Sequence, residues 1–212
     1  MKQSASRKVL FYGAFVFLVC VVALLFLPEK VPLHWNMEGK PDNYGSKYFY
    51  LFFGSLGLLS YFLLGFAYRI DPYQEKIEKR LDTYLAIRNI ISAFLSSLAL
   101  LSIFAVWYQS MDLPRMLTIV IGVFLMVLGN YLPRMPHNYF SGVKTPWALN
   151  DEHNWRKTQR FGGYGFVLSG GIMVISGILG MMWLMAVALS CLGLTALASY
   201  VYSWYLYNRN QH

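Results

Sequence analysis

Two polar stretches of the chain hold the side chains that could carry chemistry. In the longer one, residues 134–163, His137, Asp151, Glu152 and His153 lie close in sequence, and imidazole and carboxylate groups are the usual partners in general acid–base catalysis. The two carboxylates are also what the first turn of a helix attracts, because the helix dipole favours negative charge there. A single histidine beside an apolar run is usually a polar anchor. We therefore expect no catalytic site in this stretch.

The shorter polar stretch raises the question of a metal site. His34, Glu38 and Asp42 offer one imidazole and two carboxylates within nine residues. Gly39 and Pro41 break any helical face between them, and no cysteine or second histidine is near. We expect no bound metal, and no other pattern in the sequence indicates a cofactor.

The sequence lacks the motifs of common enzyme and transporter classes. It contains no Gly-x-Ser-x-Gly, Walker or His-Glu-x-x-His pattern. Its apolar runs have no Asp, Glu, Lys or His at their centres, where an ion-coupled transporter normally keeps an ionisable residue. A small-molecule or peptide transporter and a loop-based membrane enzyme are the alternative classes that this reasoning disfavours.

The elements that must position the polar stretches are apolar helices. Of 212 residues, 57% are hydrophobic and 13% are charged, and the mean hydropathy is +0.42. The sequence therefore predicts an all-α integral membrane protein, a six-transmembrane-helix bundle that forms one membrane domain over residues 1–212. Each predicted span is near the ~20 residues that a helix needs to cross the membrane. The spans are 9–27, 48–68, 89–108, 116–132, 161–179 and 182–205.

The distribution of Lys and Arg predicts the orientation. One side of the membrane receives fourteen of the 18 basic residues. Basic residues accumulate on the cytoplasmic side, so both termini and residues 134–163 are predicted to be cytoplasmic, and residues 28–47 extracellular. The same scattering in short patches argues against direct nucleic-acid binding, despite the net charge of +8. Cys20 and Cys191 lie inside apolar runs, so we expect neither a disulfide nor a thiolate metal site.

The stretch 134–163 has the composition of a shaped loop. Thr145 followed by Pro146 is typical of a helix N-cap with proline at the first helical position. A second helix is predicted to begin at Asn150 and to continue into the apolar run that starts at Phe161. If the first helix forms, its Trp147 can pack against the segment that carries Trp155.

Several residues of this stretch share the spacing of a known signature. They are Asn138, Gly142, Thr145, Pro146, Trp147, Leu149, Trp155, Thr158 and Gly163. The Gly-x-x-Thr-Pro-Trp-x-Leu run, followed six residues later by tryptophan, resembles the signature of the SdpI family. These are bacterial membrane proteins typified by an immunity protein against a secreted toxic peptide.

Residues 28–47 carry a second resemblance. They are similar to the extracellular Leu-Pro-x-x-(Ile/Val)-Pro-x-His-Trp-Asn-x-x-Gly-x-x-Asp segment often found at the start of SdpI-like proteins. Prolines and glycines break helix repeatedly here, so we expect a loop ordered by turn bonds from its own Asp and Asn side chains. Trp35 would pack on a helix end.

The resemblance implies a protein of the bacterial plasma membrane that protects the cell from a secreted antimicrobial peptide. The toxin peptide would bind the extracellular residues His34, Trp35, Asn36, Asp42 and Tyr44. The typifying member is thought also to hold a cytoplasmic transcriptional repressor at the membrane. That partner would bind the residues Asn138, Gly142, Thr145, Pro146, Trp147, Trp155, Thr158 and Arg160, with the two tryptophans as buried anchors.

Two further features bear on packing. Arg88 begins the third span and is expected to snorkel to the cytoplasmic headgroups of the membrane lipid, or otherwise to line an internal cavity. The fifth span is rich in small residues, including the small-xxx-small pairs Gly165–Ser169 and Ser176–Gly180. These pairs fit close packing within one bundle or the contact face of a homo-oligomer.

Overall fold

The computed structural model describes residues 2–36, 39–108 and 111–209, and most of them are helical. The α-helices are α1 (Lys2–Ala23), α2 (Phe49–Ile70), α3 (Gln74–Glu78), α4 (Leu81–Trp107), α5 (Leu113–Tyr131), α6 (Pro146–Asn150), α7 (Glu152–Leu179) and α8 (Met182–Arg209). A 3-10 turn, Leu132–Arg134, follows α5. The strands are β1 (Lys30–Trp35) and β2 (Pro41–Ser46).

Six helices of the described chain are long and apolar enough to cross a membrane: α1, α2, α4, α5, α7 and α8. They coincide with the six predicted spans, which confirms a multi-pass helical membrane protein. Three of them begin well before the predicted residues Val9, Asn89 and Phe161, because the polar segments that precede the apolar runs continue the same helices.

The chain divides into two compact units, and the boundaries fall within α2, α4 and α5. The first contains Met1–Leu64 and Arg88–Leu117, and the second contains Gly65–Ile87 and Thr118–His212. The core of the first unit is apolar, and its centre is formed by Val16, Cys20 and Tyr50, which are almost fully buried.

The segment between α1 and α2 is an antiparallel hairpin, so the prediction of a loop without strands is wrong here. Lys30 pairs with Ser46, and Val31 pairs with Gly45. The predicted turn bond from an Asn side chain is present, because the Lys40 amide donates to Asn36 Oδ1 at 2.9 Å. Pro28 precedes β1, and the other prolines and glycines of the segment lie within the paired strands or in the turn between them.

The prediction that Arg88 snorkels to the headgroups is also wrong. Its side chain is buried in the first unit, with 8% of the residue exposed. The guanidinium lies 3.9 Å from the centre of the Tyr61 ring and donates to Ser6 Oγ and to Asn89 Oδ1. Cation–π attraction and these hydrogen bonds compensate the loss of water around the charge.

In the second unit, α5 and α7 touch through glycines. A Cβ on Gly129 would lie 2.7 Å from the Gly163 carbonyl oxygen, and a Cβ on Gly122 would lie 2.7 Å from the Gly170 carbonyl oxygen. Gly165 faces a side chain of α8 at similarly short range. Gly163, Gly165 and Gly170 of α7 therefore serve close packing within the chain, and the contact face of a homo-oligomer stays a prediction.

Candidate functional site

The residues 134–163, here called the signature loop, contain a short capped helix. Thr145 is the N-cap of α6, its Oγ1 accepts from the Ala148 amide at 3.0 Å, and Pro146 occupies the first turn. This confirms the start predicted from sequence. The same hydroxyl lies 2.5 Å from Ser203 Oγ on α8, so the cap also fixes α6 against that helix.

The N-cap of the second helix of the loop lies one residue after the predicted start signal, Asn150. This N-cap is Asp151, because Asn150 still closes α6. The Asp151 carboxylate accepts from the His153 amide at 3.0 Å and from the Asn154 amide at 3.1 Å. This carboxylate is therefore committed to capping, and α7 runs on into the membrane span as expected.

The two tryptophans have different surroundings. Trp155 is fully buried, and its indole Nε1 donates to the Met135 carbonyl at 3.1 Å. Trp147 is half-buried, and its aromatic partners are Tyr200 and Tyr207 of α8, at centroid distances of 5.1 and 6.3 Å. The ring contacts of Trp147 therefore lie on α8, and its packing on the segment that carries Trp155 stays a prediction.

A buried polar network joins α7 to α8. Asn154 Nδ2 donates to the Ser203 carbonyl at 2.8 Å, and Ser203 Oγ donates to Asn154 Oδ1 at 2.7 Å. Thr158 Oγ1 donates to the same Asn154 oxygen at 3.0 Å. Buried polar groups must be paired, so the network makes the position of the two helices specific. Sequence analysis identified Thr158 but missed Asn154 and Ser203.

Asn138 shapes the entry of the loop. Its side-chain oxygen accepts from the backbone amides of Phe140 and Ser141, at 3.1 and 2.7 Å. Its side-chain nitrogen donates to the Pro136 carbonyl at 2.9 Å. Such an Asx turn replaces backbone hydrogen bonds that a short loop cannot make.

Gly142 allows the loop to approach α7. Its φ of +101° is a conformation that favours glycine, and a Cβ there would lie 2.8 Å from Gln159 Oε1 and 3.2 Å from the Trp155 ring. Directly after it, Val143 is held by the Gln159 amide, which accepts from the Val143 N–H at 2.9 Å and donates to its carbonyl at 2.7 Å. Gln159 was also missed by sequence analysis.

The connection between α2 and α4 is bound to the signature loop. Asp71 Oδ2 accepts from the Tyr139 amide at 2.8 Å, and the Tyr73 hydroxyl donates to the Leu149 carbonyl at 2.7 Å. Lys76 Nζ lies 3.2 Å from Glu152 Oε2 and 3.2 Å from the Nδ1 atom of a buried histidine of the loop. Sequence analysis did not identify this connection as part of the site.

That histidine, His137, lies between two aromatic rings. Its ring is stacked on Tyr73 at a centroid distance of 4.2 Å and lies 5.0 Å from the Trp155 ring. Burial lowers the pKa of His137, and the nearby Lys76 ammonium lowers it further, against opposing effects of the Leu149 carbonyl, Glu152 and Asp71. The imidazole is therefore neutral near pH 7.

The structure thus separates the predicted binding residues of the signature loop by exposure. Asn138, Thr145, Trp155 and Thr158 are buried. Trp147 is half-buried, and Gly142, Pro146 and Arg160 are exposed. Exposed residues that sequence analysis did not select are Tyr139, Phe140 and Lys144. The buried members position the loop, and only the exposed ones can touch a partner without rearrangement.

The other predicted binding residues lie on or beside the hairpin, where His34 and Asp42 are hydrogen-bonded to each other. His34 Nδ1 donates to Asp42 Oδ1 at 2.6 Å across the strands. Tyr44 on β2 is 56% exposed, whereas Trp35 and Asn36 are half-buried. Glu38 lies outside the described residues. Among the residues that the structure describes, no three His, Cys, Asp or Glu side chains are grouped for metal binding.

Comparison with known proteins adds two family matches and one relative. Residues 134–203 match the SdpI/YfhL protein family, and residues 13–58 match a domain of unknown function, DUF1648. The chain is 29% identical over 191 residues to a Bacillus subtilis (strain 168) protein named "Immunity protein SdpI", covering 88% of this chain and 89% of that protein. No solved structure matches.

Proposed function

We propose that the chain protects a bacterial cell from a secreted antimicrobial peptide, since its residues 134–203 match the SdpI/YfhL protein family. The observation that carries this proposal is the similarity to an immunity protein along almost the whole chain. The protein would act in the plasma membrane, with both termini and the signature loop in the cytoplasm. The excess of Lys and Arg on that side supports this orientation.

We propose that the hairpin receives the peptide. Its exposed ring, Tyr44, offers apolar area with a polar tip, and aromatic side chains of this kind dominate the affinity of many interfaces. The His34–Asp42 pair holds the two strands together beside this ring. A preformed hairpin would lose little conformational entropy when an amphipathic peptide binds.

The signature loop would present the second surface, to a cytoplasmic repressor. Arg156 and Arg160 lie one helical turn apart, and both are exposed at the start of α7. Lys144 and the ring of Phe140 are exposed on the loop itself. These groups favour a partner with an acidic surface and an apolar patch, because complementary charge speeds encounter and buried rings supply affinity.

We propose no catalytic role for the carboxylates of the loop. Asp151 is occupied as a helix cap, and Glu152 forms an ion pair with Lys76. His153 is exposed, and its backbone amide donates a hydrogen bond to the Asp151 carboxylate. An enzyme would require one of these groups to be free to exchange a proton with a substrate.

The test is growth of a peptide-sensitive host that expresses the chain, challenged with a panel of purified secreted antimicrobial peptides. We expect protection against at least one peptide, a strong reduction by Tyr44→Ala, and little change for His153→Ala. Arg160→Gln should leave protection intact but weaken membrane recruitment of a co-expressed repressor encoded beside the gene. Lack of protection against every peptide, at normal membrane levels of the protein, would refute the immunity function.

A further inference from the structure

The connection after α2 holds the signature loop at three points. Asp71 accepts a hydrogen bond from the Tyr139 amide, the Tyr73 hydroxyl donates to the Leu149 carbonyl, and Lys76 reaches both Glu152 and the buried imidazole. We call Asp71, Tyr73 and Lys76 the latch. Its contacts span the beginning of the loop, α6 and the first turn of α7, so the latch ties together the segments that carry the exposed groups.

One of these contacts requires a particular protonation state. A lysine ammonium has only donors, so the Nδ1 atom of His137, 3.2 Å from Lys76 Nζ, must accept the hydrogen bond. It can accept only while it carries no proton. A proton on Nδ1 would remove the acceptor and would place a second positive charge at hydrogen-bond distance from the ammonium. The contact would then become repulsive.

The other groups around the imidazole do not cancel this effect. The connection contributes Asp71, Tyr73 and Lys76, the first turn of α7 contributes Glu152, and α6 contributes the Leu149 carbonyl. The acidic groups and the carbonyl favour a proton, but burial and the ammonium disfavour it, and the net effect lowers the pKa of the imidazole. An opened loop would expose the ring to water and restore its ordinary value near 6.5.

We propose that the latch holds the signature loop closed while His137 is neutral, and that it releases the loop when His137 takes up a proton. Asp71, Tyr73 and Lys76 are thereby positioning residues of the loop. The proton comes from solvent and adds to Nδ1 without any covalent step. Opening uncovers the Tyr73 and Trp155 rings that now cover the imidazole, so protonation would change the surface that a partner meets. This regulation is additional to the proposed immunity function and needs no toxin to be tested.

The direction of the pH effect follows from linkage. The open state binds a proton more readily than the closed state, so closure is fully favourable above a pH of about 6.5 and weakens as the pH falls below it. A drop of one pH unit below that value can shift the equilibrium by at most about tenfold for one group.

Amide hydrogen exchange on the full chain in lipid nanodiscs tests the proposal. The probes are the peptides that contain the Tyr73 and Tyr139 amides, both of which donate to Asp71. After correction for intrinsic exchange rates, their protection should fall by up to about tenfold between about pH 6.5 and 5.5, whereas the α8 peptides should not change. His137→Phe keeps an aromatic ring between its neighbours but cannot titrate, so it should lose the pH dependence. His153→Phe, at an exposed site, should keep it.

The outcomes are decisive in both directions. Constant protection in the unmodified chain, or an equal fall in His137→Phe, would overturn the proposal. If the phenylalanine ring itself loosens the loop at neutral pH, Lys76→Met decides instead. That variant removes the repelling cation and leaves Glu152 beside the imidazole, so acidification should reduce protection much less than in the unmodified chain. An undiminished fall in Lys76→Met would also contradict the proposal.

Discussion

Replacing Trp155 with alanine should destabilise the signature loop more than any other single truncation in it. The side chain is fully buried, and loss of a buried tryptophan typically costs about 3–5 kcal/mol. The Met135 carbonyl would also lose its indole donor, which adds about 1 kcal/mol. Trp147→Ala removes a half-buried ring with contacts on α8, so its cost should be about half as large. This order was not predictable from sequence, where the two tryptophans were equivalent anchors.

Unfolding in mixed micelles, followed by far-ultraviolet circular dichroism, would measure both free energies by linear extrapolation. Trp155→Phe is the matched control: it keeps most of the apolar volume and removes the donor to Met135, so it should lower the free energy of unfolding by about 1–3 kcal/mol, less than Trp155→Ala. The reasoning fails if Trp155→Ala lies within about 1 kcal/mol of the unmodified chain, or if Trp147→Ala proves the more costly variant.

Three further predictions follow from backbone geometry and charge distribution. Gly142→Val should lower the free energy of unfolding by at least about 2 kcal/mol and abolish protection, because φ is +101° and the new Cβ would lie 2.8 Å from Gln159 Oε1. An unchanged free energy of unfolding would contradict this prediction. Gly163→Ala should separate α5 from α7, since its Cβ would lie 2.6 Å from a carbonyl oxygen, and its melting temperature should fall below that of Gly193→Ala, which meets nothing within 4 Å. In intact cells, Asn43→Cys should react with a membrane-impermeant thiol reagent and Asn150→Cys should not. Equal labelling of the two variants would refute the proposed orientation.

The features that sequence reasoning predicted correctly are local ones. Apolar runs of sufficient length identify spans without knowledge of their neighbours, and all six were found. The cap by Thr145 was predictable because an N-cap depends only on the residue itself and the next three positions. The hairpin was missed because Pro32 and Gly45 lie inside its strands, where the usual period-2 alternation of apolar residues is interrupted.

The features that were missed depend on segments far apart in sequence. Nothing near Arg88 shows that Tyr61 and Ser6 will surround it, so a rule for exposed basic residues gave the wrong position. Likewise, the contact of Lys76 with His137 joins residues 61 positions apart, and neither has a sequence neighbour that indicates the other. Helical periodicity cannot supply such pairings, because it describes one element at a time.

The burial of the signature has a consequence for where specificity lies. The interior of the loop contains the buried residues Asn138, Thr145, Trp155 and Thr158. Their polar groups are already hydrogen-bonded within the chain, so these residues stabilise the loop and are not available to a partner. A partner that discriminates between related loops must therefore contact what this interior leaves outside, such as the exposed ring of Phe140 and the exposed basic groups. Substitutions of the interior should weaken every function of the loop together, whereas substitutions of the exposed groups should change partner preference and leave the unfolding free energy within about 0.5 kcal/mol.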